Sequence, residues 1–181
     1  MFFTLTFFGT EVGMANYSVL LNLIFLTTSA WAGPAQVPSN IQLQVFKSAS
    51  CGCCKSWIKH LEAVTEGTDE HSHSLWQITA QNVSDMARIK QTHNISSEYQ
   101  SCHTAVTPSG YVFEGHVPAK FMQRFLNNPP ANAIGLAVPG MPVGSPGMEH
   151  GEHFQPYTIQ VLLKDGSHRP YASVSQPGEQ F

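Results

Sequence analysis

Three of the four cysteines in this chain fall within four positions, as Cys51-Gly52-Cys53-Cys54. Cys51 and Cys54 alone have the C-x-x-C spacing of a redox pair. The third thiol between them changes the chemistry, because three thiolates in one turn repel each other unless a disulfide or a cation removes the charge. A soft metal does so best. Three inert buried thiols beside Gly52 and Lys55 would pack no better than Ala or Val, so the cluster reads as a site. Zinc sites usually draw four ligands from two separated pairs, and a second C-x-x-C is missing here. Cu(I) accepts few ligands, of thiolate, thioether and imidazole type, and can be bridged into clusters. The remaining soft donors are Cys102-His103, His116, Met141, Met148, His150 and His153. Met141, Met148 and His116 each also have a plain packing reading. His71, His73, His93 and His168 read as solvated loop residues, and Met86 and Met122 as core.

Hydrophobic spacing predicts the elements that position these groups. Ile41-Gln42-Leu43-Gln44-Val45-Phe46 alternates as a strand, and Lys47 to Ser50 turn the chain. Trp57, Ile58, Leu61 and Val64 then mark one face of a helix that starts near the cysteines and is stopped by Gly67. The free N–H groups and positive dipole end of such a helix stabilise thiolates. Further on, the pattern predicts a strand over 75–79, a helix capped at Asn82 with Val83, Met86 and Ile89 as its apolar stripe, and strands over 104–106 and 111–113 joined by Pro108-Ser109-Gly110. Pro118 opens a helix that buries Phe121, Met122, Phe125 and Leu126 before Pro129-Pro130. Gly135 to Pro156 lacks any period and is expected to be one long Gly/Pro/Met loop. Thr158–Leu163 and Tyr171–Val174 close the domain as a hairpin around Asp165-Gly166. The fold class is therefore α/β, a mixed sheet flanked by helices in a thioredoxin-like order.

The whole chain of 181 residues, with 9 Lys+Arg against 12 Asp+Glu and net charge −3, suits one globular domain. It has no basic surplus for a nucleic-acid partner. Ser18 to Ala32 has an apolar core and ends in Ala30-Trp31-Ala32, the small-x-small pattern of a cleaved export signal. Its apolar run is far short of the roughly 20 residues that cross a bilayer. Residues 1–32 are thus expected to be a signal peptide, one that departs from the pattern in having no Lys or Arg before the apolar run, with Met1 to Gly13 reading as an extra leader ahead of a better-placed start at Met14. A short tether over 33–40, a domain over 41–175 and a tail over 176–181 follow, with no membrane association after cleavage.

Cys51-Gly52-Cys53-Cys54 followed by Trp57, SCHTA at 101–105, GYVFEGHVPA at 110–119, IGLAVPGMPVGSPGME at 134–149 and Tyr157 resemble the CopG-type family. The resemblance runs from Ile41 to Val174. It implies a periplasmic thioredoxin-like protein of copper resistance, holding Cu(I), more than one ion, around the C-x-C-C thiolates. Carried over, the metal ligands are Cys51, Cys53, Cys54, Cys102, His116, Met141 and Met148. Copper ions and other periplasmic copper-handling proteins are the implied partners. The His71–His73 insertion and His150 and His153 depart from the family pattern and read as extra copper catchers or as plain surface residues, the latter being preferred.

Two other functions compete. A thiol–disulfide oxidoreductase would use Cys51 and Cys54 as its redox pair, with Cys53 or Cys102 as resolving thiol. A zinc-stabilised binding module would need His116 or Cys102 as its fourth ligand. Hydrolysis finds no motif in the chain.

Overall fold

A computed structural model of the chain describes residue 9, residues 40–66 and residues 73–181. The expected signal peptide and tether, apart from Gly9 and Asn40, lie outside the described residues, as do Gly67 and His71. The alternation of the first predicted strand holds: β1 (Ile41–Lys47) buries Ile41, Leu43 and Val45 and exposes Gln42 and Gln44. Helix α1 (Gly52–Glu62) starts at the cysteines, with Cys51 as its cap, and buries Cys54, Trp57, Ile58 and Leu61. It ends at Glu62, ahead of Gly67. Val64 then lies beyond the helix and its carbonyl accepts from Leu75 N at 3.0 Å. A two-stranded ribbon, β2 (Thr65–Glu66) with β3 (His73–Ser74), intervenes before β4 (Trp76–Asn82).

Helix α2 (Met86–Thr92) corrects the expected cap. Asp85, not Asn82, holds the helix start, its carboxylate accepting from Arg88 N at 2.9 Å. Asn82 instead ends β4, where its amide oxygen accepts from Lys47 Nζ at 2.7 Å. The stripe of Val83, Met86 and Ile89 is only half-buried, so Met86 is not core; the buried residue of α2 is Lys90. The hairpin around Pro108-Ser109-Gly110 forms as read, between β5 (His103–Val106) and β6 (Val112–Gly115). Pro118 caps α3 (Ala119–Asn127), which buries Phe121, Met122 and Phe125 and leaves Leu126 half-buried.

The expected loop from Gly135 to Pro156 is shorter than the sequence suggested. Ala133–Val138 form a further strand, β7, in the middle of the sheet. The physical reason is burial on both faces: Leu136, Ala137 and Val138 are all inaccessible to solvent, so no alternation survives to be read. Gly135 is obligatory in this strand, because a Cβ there would stand 1.8 Å from the Val112 carbonyl oxygen. Strands β8 (Tyr157–Leu163) and β9 (His168–Val174) complete the order β4-β1-β5-β6-β7-β8-β9. β1 with β4 and β6 with β7 run parallel, and the other neighbours antiparallel.

The core lies between α1, α3 and the central strands, around Trp57, Phe113, Met122, Phe125, Leu136 and Ile159. The C-terminal residues are tied down as well: Gln180 is buried, donates to Gly144 O at 2.9 Å and accepts from Tyr157 OH at 2.5 Å. Among the described residues, no helix is long and apolar enough to cross a membrane.

Candidate metal centre

The junction of β1 and α1 and the start of β5 meet because β5 pairs antiparallel beside β1, with His103 opposite Lys47. That register brings Cys102 to the turn that leads into Cys51. Cys51 and Cys54 are joined as a disulfide, with Cα atoms 5.4 Å apart, and Cys53 and Cys102 are free thiols. Cys53 Sγ lies 3.5 Å from Cys51 Sγ and 3.9 Å from Cys102 Sγ. The four sulfurs all lie within 4.8 Å of one another. Cys51 Sγ also accepts from Cys54 N at 3.2 Å, so this sulfur caps the helix start.

A second group adjoins the first and shares Cys102. Its sulfur lies 3.2 Å from His103 Nδ1 and 3.0 Å from His116 Nε2, and these three donor atoms also lie within 4.8 Å of one another. His116, just past β6, has its Nδ1 2.8 Å from the Pro146 carbonyl oxygen. A carbonyl only accepts, so Nδ1 carries the proton and Nε2 presents its lone pair toward Cys102. His103 is inaccessible, packed against the Trp57 ring at 4.3 Å and edge-on to His116 at 5.1 Å, and its Nε2 has no hydrogen-bond partner.

The electrostatics keep both imidazoles neutral. Burial lowers the pKa of His116, and burial, with His116 and Lys90 nearby, holds that of His103 well below its ordinary value. Neutral imidazole is the metal-binding form. Burial first, and then the neighbouring Cys53, push the Cys102 thiol up to about 12. Without a cation, Cys102 is therefore a thiol at neutral pH.

Lys90 and Glu114 stand behind this group, and sequence reasoning missed both. They form a buried ion pair between α2 and β6. Thr104 Oγ1 donates to Glu114 Oε2 at 2.6 Å, Lys90 Nζ donates to Thr104 Oγ1 at 3.1 Å, and Ser101 N donates to Glu114 Oε1 at 2.5 Å. The carboxylate thus holds the backbone immediately before Cys102. Burial raises the Glu114 pKa against the opposing pull of Lys90. A lone Glu in the apolar run Val112-Phe113-Glu114 was the available signal for one partner; Lys90 carries no comparable mark.

The loop after β7 closes on the thiol turn. Gly147 has φ +84°, and a Cβ there would lie 2.5 Å from Trp57 N and 2.8 Å from Cys53 O, so the loop backbone sits directly on the first turn of α1. Met148, next to it, is half-buried, whereas Met141 is 41% exposed at φ 50°. Of the candidate ligands, Cys51, Cys53, Cys54, Cys102 and His116 are brought together, and His103 joins them from the wider set of soft donors. His150 and His153 are exposed, His93 is half-buried beside Phe46, and His168 lies exposed in β9 beside the Tyr99 ring.

Residues 99–148, which carry Cys102, His103, His116 and the loop, match the sequence family described as "Protein of unknown function, DUF411". Two solved structures, described as copper resistance protein CopG in its form 2 and form 1, are each 37% identical to the chain. Form 2 superposes with TM-score 0.66 over 75% of this chain and 99% of that one, and form 1 with 0.64 over 74% and 97%. The chain belongs to the CopG-type family. Among curated proteins, nothing matches it significantly. The DUF411 match begins after the C-x-C-C turn, whereas the likeness to the solved structures covers about three quarters of the chain.

Proposed function

We propose that this protein handles copper in the periplasm, holding more than one Cu(I) through the thiolates of Cys51, Cys53, Cys54 and Cys102 with His116, and serving copper resistance by sequestering the metal or moving it between Cu(I) and Cu(II). The observation that carries this reading is the convergence of four sulfurs within 4.8 Å, with two neutral imidazoles on the fourth. The donor set fits a soft ion of low coordination number, and bridging thiolates let adjacent ions share ligands. His103 presents Nδ1 to the same sulfur, 3.2 Å away, and so adds a second imidazole donor to the set. Loading requires two electrons, supplied by a thiol reductant that is itself oxidised to a disulfide, to open the Cys51–Cys54 disulfide into the two thiolates that bind copper, so oxidation and copper uptake compete. Met148 shields the site without adding charge, and Met141 is its weaker partner.

The part of the fold that carries the site supports a thioredoxin-like reading, with parallel β1 and β4 beside antiparallel β5 and β6. Export through residues 1–32, a mature start at Gly33 and a binding domain over 41–175 belong to the same reading, as do other periplasmic copper-handling proteins as partners. Intact mass of periplasmic extract checks the cleavage. Protein in the membrane fraction that retained Leu20 to Leu26 would contradict it.

The deciding experiment is a competition titration with a Cu(I) chelator. Replacing Cys51, Cys53 and Cys54 together by Ser removes most of the copper capacity, and wild-type stoichiometry in that variant would end the thiolate-cluster reading. One observation favours a second function: the Cys51–Cys54 disulfide lies at a helix start with the Cys53 thiol 3.5 Å from Cys51. A thiol–disulfide oxidoreductase would reduce insulin after strict metal removal and gain no protection from alkylation with Cu(I). The copper reading expects slow exchange in the loaded protein and protected thiols.

A further inference from the structure

Beyond Gly147 the loop makes a tight reversal in which two exposed histidines face each other. His150 and His153 form an isolated antiparallel bridge, with His153 N donating to His150 O at 3.2 Å and Gly151 at φ +58° making the turn. Their rings lie with centroids 6.1 Å apart and planes 21° from parallel. Both side chains are exposed, so core packing does not account for the pairing.

We propose that His150 and His153 form a second metal site, at the surface and separate from the sulfur cluster, that takes a borderline divalent cation and Cu(II) most tightly. An imidazole nitrogen binds such an ion at about 2.0 Å, which puts the centroids of two rings sharing one ion about 4.5 to 6.4 Å apart. The observed spacing falls in that range, and small turns of two exposed rings aim one nitrogen of each at the gap. The backbone bridge fixes both ligands on one turn, so chelation costs little further ordering. The donors are nitrogen, with oxygen from water or the exposed Glu152 carboxylate between them in the chain. Glu149 is already engaged, accepting from Gly147 N at 2.9 Å. Water and carboxylate oxygens beside the imidazoles complete the larger shell of a divalent ion rather than that of Cu(I), and among divalent first-row ions affinity peaks at Cu(II). The pair stands three and six residues beyond Gly147, on the loop seated over Cys53 and Trp57. The proposal does not depend on what the sulfur cluster holds.

The test uses the full chain with its disulfide intact and its accessible thiols alkylated, titrated with cupric chloride. The expected result is one tight equivalent whose electron paramagnetic resonance spectrum carries hyperfine splitting from two nitrogens. In the double variant His150→Ala/His153→Ala that splitting is lost and affinity falls at least about tenfold. His168→Ala leaves both unchanged. Wild-type splitting and affinity within about twofold in the double variant would overturn the proposal, as would their loss on changing His71 and His73 instead. A second measurement guards against a disturbed loop. Sub-stoichiometric Cu(II) should broaden the His150 and His153 ring resonances of the unaltered sequence first, and broadening centred on other histidines would overturn the site. The chelator competition on reduced protein reads the sulfur cluster alone, so either result can fail without the other.

Discussion

His116 Nε2 stands 3.0 Å from Cys102 Sγ while Nδ1 of the same ring lies 2.8 Å from the Pro146 carbonyl oxygen. One imidazole therefore ties the thiol just before β5 to the loop that covers it, and movement of that loop is transmitted to the sulfur. His116→Ala removes a ligand and the tie together. We expect Cu(I) retention against a chelator to fall at least about tenfold and Cys102 to alkylate faster in the metal-free protein. Retention at the wild-type level would make His116 a packing residue.

Gly147 meets α1 through its backbone. Gly147→Ala places a Cβ against Trp57 N and Cys53 O at a left-handed φ, a clash that neither backbone can relieve without moving the loop. The expected cost is about 1–3 kcal/mol of stability. Denaturant unfolding reads it, and alkylation of Cys53 should quicken in parallel. Unchanged alkylation would show that the loop does not guard the thiols.

The Lys90–Glu114 pair makes a prediction in pH. Lys90→Met leaves a buried carboxylate without its counter-charge, at an expected cost of about 3–5 kcal/mol near neutrality. Burial already raises the Glu114 pKa above its unfolded value, and losing Lys90 raises it further. The native state then favours the protonated acid, so the stabilising contribution is present at low pH and is lost as pH rises through the raised pKa. Urea unfolding should accordingly find the variant's deficit smaller at about pH 5 than at neutrality. A deficit that grew on acidification would contradict the assignment.

The two loop methionines differ in burial, and their roles should differ with it. Met141→Leu/Met148→Leu keeps the fold and either weakens copper retention or speeds oxidation of the bound ion, with most of the effect from half-buried Met148. Chelator competition and the rate of Cu(I) loss in air measure this. No change in either would return both residues to packing.

The C-x-C-C turn, the strand before it and the helix after it were legible in the sequence because each is encoded locally, by alternation, by i, i+4 spacing and by thiols at a helix start. The β5–β6 hairpin and the α3 start at Pro118 were legible for the same reason. Strand β7 was not, since a strand buried on both faces carries no period and its glycine looks like a loop residue until Val112 is beside it. The Lys90–Glu114 pair, the exposure of Met141 and the unpartnered nitrogen of His103 were equally hidden. Each depends on which distant segment the register sets alongside, as His103 opposite Lys47 sets Cys102 beside the thiol turn. Residue types and local periodicity therefore determined the donors and the turn that gathers three of them, whereas only the tertiary pairing of strands decided which other donors reach that turn and which side chains hold them there.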